Sequence, residues 1–228
     1  MSDKEGRCLG LIGGLGPPAT VHYYLELIAA HKAQGYIPRL LIAHADVNRA
    51  MAAVAARDLD GLARYLATLI ESMAAGGAEF TAIVAITPHI CAPQLELLLP
   101  LPLINMVTEV ANSVRAQGLK RVALLGTRYT IETRMFGRLK DVEVVMPRPD
   151  EIDQIHNAYV EIVAGRGSAA QIAKLRKLSH TFIARDGVEA ILLAGTDLST
   201  VFNESNTDFP AIDCARIHIE AIMRRLLS

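Results

Sequence analysis

The 228-residue chain is predicted to be an α/β protein: two pseudo-symmetric, doubly wound lobes with parallel sheets and an interlobe cleft. Three observations predict it. Short apolar runs of strand length alternate with longer amphipathic segments, the rhythm of parallel strands joined by crossover helices. The plan occurs twice: "LGLIGGLGPPAT" (9–20) is echoed by "VALLGTRYTIET" (122–133), and "AIVAITPH" (82–89) by "AILLAGTD" (190–197). Each half therefore opens with strand, glycine turn and helix, and later carries a buried strand ending in a threonine-bearing loop, the mark of an internal duplication. Third, 51% of residues are hydrophobic and 21% charged, which suits ordinary globular packing of one large domain or two small ones.

Taken in order, "CLGLI" (8–12) is a buried strand and "GGLGPPAT" (13–20) the turn into a helix, with Pro17 and Pro18 in the first turn, where a missing N–H costs nothing. In that helix Val21, Tyr24, Leu25 and Ile28 share one face, and Gly35 stops it. "RLLIAH" (39–44) is the next strand. Asp58 caps a helix whose Leu59, Leu62, Leu66, Leu69, Ile70 and Met73 lie together, ended by Gly76 and Gly77. "FTAIVAI" (80–86), a short helix near 92–99 and "LPLINM" (101–106) complete the first half. The second half has "RVALLG" (121–126), a turn into a helix, "VEVVMP" (142–147), polar helices from Asp150 and Ser168, and "VEAILLAGTDL" (188–198). "FPAID" (209–213) and the helix after it are expected to return to the first lobe, so that the lobes comprise 1–105 with 210–228, and 106–209.

The net charge is −1 and no basic stripe stands out, which excludes a nucleic-acid partner. The N-terminal residues lack a signal-peptide pattern and no apolar run reaches the ~18 residues of a membrane span, so a cytoplasmic protein with no membrane partner is expected. Cys8, Cys91 and Cys214 are odd in number and widely spaced. They make neither a disulfide framework nor a metal site.

Ligands of α/β folds bind at the carboxyl ends of the strands, and the candidate residues cluster there. "GGLGPP" lacks the spacing of a dinucleotide loop. The backbone of Gly14, Leu15 and Gly16 is better suited to receiving a small carboxylate. Thr127 and Thr130 either bind a carboxylate or cap a helix. Thr87 and His89 follow a buried strand, and His89 is either structural or functional. Cys91 is expected to be a small buried hydrophobe rather than a nucleophile. Thr196 and Asp197 end the matching strand, where Asp197 either caps a helix or acts as a base. Burial is expected to raise an aspartate's pKa and lower a histidine's, bringing Asp197 and His89 toward neutrality.

The segments "LGLIGGLGPPAT", "VHYYLELI", "GGAEFTAIVAITPH", "VALLGTRYTIE" and "AILLAGTDL", in this order and spacing, resemble the aspartate/glutamate racemase family, in particular its aspartate racemase-like branch. The resemblance implies an amino-acid racemase-type isomerase with two α/β lobes, needing neither pyridoxal phosphate nor metal, and a homodimer. It also implies two cysteines, one per lobe, that remove and return the α-proton on opposite faces of the substrate. This sequence departs from the pattern at both. The first thiol position falls on Ala85, or on Val84 under a longer spacing, with Ile86 at an asparagine position; Thr87 and His89 remain. The second falls on Gly195, beside Thr196 and Asp197. A lysine carried by many members is replaced within "EIVAGRG" by Val163 and Ala164, whereas Arg49 in "DVNRA" matches a carboxylate-binding arginine. Three classes of function follow: an isomerase using non-thiol groups, a lyase or decarboxylase on the same scaffold, and a non-catalytic protein that binds small carboxylic or amino acids.

Overall fold

The computed structural model describes residues 4–203 and 205–226. Two compact units emerge, one of residues 1–106 and 218–228, the other of 107–217. In the first, strands β2 (Leu9–Gly13), β4 (Leu40–His44), β5 (Phe80–Ile83) and β6 (Leu103–Ile104) form a parallel sheet in the order β4-β2-β5-β6. In the second, β7 (Arg121–Gly126), β8 (Glu143–Val144), β9 (Ala190–Ala194) and β10 (Ala211–Asp213) form another, in the order β8-β7-β9-β10. Within each unit the second strand lies outside the first, and the third and fourth follow on its other side. The shared order is the duplication expressed as topology. A separate pair, β1 (Lys4–Glu5) with β3 (Tyr36–Ile37), was not foreseen in the sequence.

Every residue of β2, β5 and β9 is buried, as is β7 beyond Arg121. Strands covered on both faces by crossover helices read as continuous apolar runs rather than alternating ones, which is why "LGLI", "ALLG" and "AILLA" were recognisable. The principal helices are α1 (Pro17–Gln34), α2 (Val47–Ala55), α3 (Leu59–Ala75), α5 (Met106–Ala116), α7 (Pro149–Val163), α8 (Ala169–Asp186) and α9 (Cys214–Leu226), with short helices α4 (Ala92–Glu96) and α6 (Arg128–Glu132). Asp58 caps α3 by accepting the Gly61 N–H at 2.8 Å, and Ser168 with Gln171 forms a capping box on α8. No described helix is long and apolar enough to cross a membrane.

Three expectations are corrected. The segment 209–213 does not leave the second unit: β10 pairs with β9, Ala211 opposite Ile191, and the chain passes back only at residue 218. The predicted run 80–86 is a strand only to Ile83, because the chain then coils into a 3₁₀ turn over Thr87–Cys91. In α1 the buried residues are Ala19, Tyr23, Leu27 and His31, whereas Val21, Tyr24 and Leu25 are exposed. Apolar side chains surround much of this helix, so periodicity chose the wrong stripe; Tyr23 turns inward, its hydroxyl 3.1 Å from the buried His218 Nδ1.

The face assignment is testable. Tyr23→Phe, which removes a donor to a buried histidine, is expected to cost about 1–3 kcal/mol in urea unfolding. Val21→Ser on the exposed stripe is expected to stay within about 0.5 kcal/mol of the parent. The reverse order of effects would contradict the assigned face.

Candidate functional site

Apart from Arg49, the site residues expected from the sequence lie on the segments that follow β2, β5, β7 and β9. After β2, Gly14 adopts φ +85°, and a Cβ there would fall 2.7 Å from the Ala45 carbonyl oxygen and from the His44 ring, so only glycine fits. The Gly14 N–H donates to Thr20 Oγ1 at 3.0 Å, and that hydroxyl donates to the Gly16 carbonyl at 3.0 Å. Thr20 thus ties the turn to the first turn of α1, and the Gly14 N–H assigned to a carboxylate is taken up within the protein. Leu15 is buried, and Gly16 stands at the N-cap of α1 ahead of two prolines that have no N–H. Arg49 sits exposed on α2 with its guanidinium 4.2 Å from the Tyr65 ring centroid, a cation–π contact. Asp46 caps that helix through the Asn48 and Arg49 N–H groups.

After β5, Ala85 is half-buried and Thr87 and His89 are buried. His89 Nδ1 donates to the Ala85 carbonyl at 2.8 Å, and Nε2 accepts the Met106 N–H at 3.2 Å. One ring thereby fastens the loop after β5 to the start of α5. Burial pushes its pKa from 6.5 down to about 4, past neutrality rather than toward it, because two backbone hydrogen bonds to the ring do not offset the loss of water. Beside it, His218 Nε2 donates to the Ile104 carbonyl at 2.9 Å, so Nδ1 accepts from the Tyr23 hydroxyl. The two imidazoles meet edge to face at 6.2 Å, and burial together with repulsion from His89 lowers His218 to about 3. Neither Tyr23 nor His218 was singled out in the sequence, since a lone histidine on a C-terminal helix carries no motif.

No cysteine offers a reactive thiolate. Cys91 Sγ donates to the Pro88 carbonyl at 3.2 Å, and burial pushes its thiol up to about 12. Cys214 is raised well above the usual range by burial and then by Asp213, and Cys8 is raised chiefly by burial. All three are reduced and buried, in line with the expectation for Cys91.

After β7, Thr127 is the N-cap of α6: its Oγ1 accepts the Thr130 N–H at 3.1 Å, and the two hydroxyls are 2.9 Å apart. Of the two roles left open in the sequence, the geometry displays capping. After β9 the chain forms a 3₁₀ turn over Thr196–Thr200, the counterpart of Thr87–Cys91, with Thr196 and Asp197 both buried. The Thr200 hydroxyl donates to the Asp197 carbonyl at 2.6 Å, and Ser199 donates to Asp213 Oδ1 at 2.7 Å, which closes the turn against the end of β10. Over this loop lies Tyr159 of α7, whose hydroxyl donates to Asp197 Oδ2 at 3.4 Å. Tyr159 belongs to the buried face Ile152, Ile155, Tyr159, Ile162; its polar end was invisible to a periodicity argument.

Residues 12–222 match the profile of the Asp/Glu/hydantoin racemase family. The chain belongs to that family. Among solved structures, a candidate Asp/Glu racemase from Yersinia pestis is 27% identical with a TM-score of 0.83, covering 97% of this chain and 100% of that one. An aspartate racemase homologue from Pyrococcus horikoshii OT3 is 22% identical with a TM-score of 0.80 over 97% and 100% of the two chains. An aspartate racemase from Picrophilus torridus is 21% identical with a TM-score of 0.76 over 96% and 94%. The family membership and the two-sheet parallel α/β fold expected from the sequence both stand.

The histidine pair generates an acid sensitivity. His89 and His218 are neutral in the fold with pKa values of about 4 and 3, against an ordinary 6.5. The unfolded chain therefore takes up protons first, and the stability these groups confer is complete above pH ~6.5 and is lost as pH falls toward 4. Each histidine is expected to contribute a slope approaching roughly 1.4 kcal/mol per pH unit in that window. Urea unfolding at pH 7 and pH 5 measures it, and equal stability at the two values would contradict the assignment. At Gly195, a Cβ would fall 2.3 Å from Tyr159 Cε2; Gly195→Ala is accordingly expected to destabilise by about 1–3 kcal/mol, with part of the loss recovered in a Tyr159→Leu background.

Proposed function

We propose that the protein is a cofactor-independent, isomerase-class member of the racemase family, acting at the α-carbon of a small amino or dicarboxylic acid without thiol chemistry. The observation that carries this is the loop after β9: it has glycine at position 195, where the resemblance places a thiol, yet keeps a buried carboxylate, Asp197, two residues on. Inversion requires a base that removes the α-proton and an acid that returns one to the other face; the acid is assigned to a water molecule, whose hydroxide then takes the proton held by the base. Asp197, held by the Tyr159 hydroxyl, is the group assigned to the base. Thr196, which opens the 3₁₀ turn of the same loop, is assigned to recognising a carboxylate group of the substrate. His89 is assigned to holding its loop, since both ring nitrogens already bond to backbone. A cytoplasmic homodimer belongs to the same proposal through the family resemblance.

A second reading, a non-catalytic binder of small carboxylates, is favoured by that same engagement of His89, which leaves the first unit's loop without a proton-transfer group. Hydrogen–deuterium exchange at the α-carbon separates the two: a panel of L- and D-amino acids and dicarboxylic acids is incubated in heavy water and followed by NMR. Exchange abolished by Asp197→Asn by about 10²–10⁴-fold supports the isomerase. Binding with no exchange selects the binder, and release of carbon dioxide or ammonia selects a lyase. Interconversion of aspartate or glutamate that survives Asp197→Asn would overturn the assignment of the base.

A further inference from the structure

We infer that Tyr159 is a positioning residue of the second unit's site: its phenol fills the space that a side chain on residue 195 would occupy, and its hydroxyl holds the Asp197 carboxylate. The functional half of this inference rests on the role proposed above for Asp197; the structural half does not.

Gly195 has φ −154° and ψ 119°, extended backbone that any residue adopts, so conformation does not demand glycine there. Space does. A Cβ at 195 would lie 2.3 Å from Tyr159 Cε2, 2.5 Å from Cζ and 2.8 Å from the hydroxyl oxygen. The far end of the tyrosine, not its stem, occupies the volume, and it is buried and unable to swing away into solvent. The glycine and the tyrosine are therefore one feature: residue 195 carries no side chain, and a ring from α7 fills the space beside it.

Packing alone does not account for the hydroxyl. The neighbours of Tyr159 on its helix face are Ile152, Ile155 and Ile162, and phenylalanine would complete that face equally well. What the hydroxyl adds is a donor to Asp197 Oδ2. Burial, the charge of Asp197 and the hydrogen bond to it all keep the phenol protonated, with its pKa well above the usual 10. Tyr159 is consequently a permanent donor rather than a base, and a donor aimed at a carboxylate favours its ionised form. In that role it orients Asp197 and holds it ready to accept a proton.

Tyr159→Phe tests this, because it keeps the ring and removes only the donor. Carboxyl-carbon NMR of the full-length protein, with the Asp197 resonance assigned from Asp197→Asn, gives the titration midpoint of Asp197. In Tyr159→Phe that midpoint is expected to rise by about one pH unit. For any acid whose α-proton exchanges, the acid limb of the pH–rate profile is expected to rise with it, while the apparent KM stays within about threefold. An Asp197 midpoint unchanged in Tyr159→Phe would overturn the inference. If the wild-type protein exchanges no α-proton, the proposed function fails, and the midpoint shift still decides the role of Tyr159.

Discussion

Parallel strands buried on both faces end in backbone groups that water does not reach, and the rest of this structure depends on how those ends are satisfied. An unpaired buried carbonyl or amide costs as much as a lost hydrogen bond or more, so each loop needs its own partners. In the first unit His89 bonds the Ala85 carbonyl and the Met106 N–H, and His218 bonds the Ile104 carbonyl while accepting from Tyr23. Two imidazoles and a phenol thereby join the ends of β5 and β6 to helices α1, α5 and α9. The arrangement works only while both rings are neutral, which explains why burial sets their pKa values so low.

The second unit solves the same problem differently. Its sheet has the same strand order and its loop after β9 forms the same 3₁₀ turn, but a hydroxyl and a carboxylate replace the imidazoles: Thr200 bonds the Asp197 carbonyl and Asp213 accepts the Arg216 N–H, while Ser199 and Tyr159 hold the Asp213 and Asp197 side chains. Duplication preserved the backbone plan because topology and hydrophobic pattern are shared. The polar fillings diverged because many side chains can satisfy one carbonyl.

Membership of the racemase family settles the scaffold and leaves the chemistry to particular side chains. The three cysteines are all buried with their thiols raised, so a thiolate would have to form where the surroundings oppose it most. The polar groups near Gly195 and Ala85 are a carboxylate with a fixed donor in one unit and a fully engaged imidazole in the other. That asymmetry is the physical ground for seeking chemistry at Asp197 rather than at His89.

By itself the sequence determined the α/β class, the duplicated plan, the central strands β2, β5, β7 and β9 and the family, because buried parallel strands and glycine turns leave local patterns that survive in one dimension. It also located the loops on which Thr87, His89, Thr196 and Asp197 lie. Only the tertiary structure decided what those residues do. Whether His89 is free or committed depends on Ala85 and on Met106, 17 residues away in sequence. Why residue 195 is glycine depends on a tyrosine brought from α7. Which stripe of α1 is buried depends on His218, nearly the whole chain distant from Tyr23. A periodic pattern records that a face is apolar, whereas the partner of a buried polar atom is chosen by proximity in space, and that proximity exists only after the chain has folded.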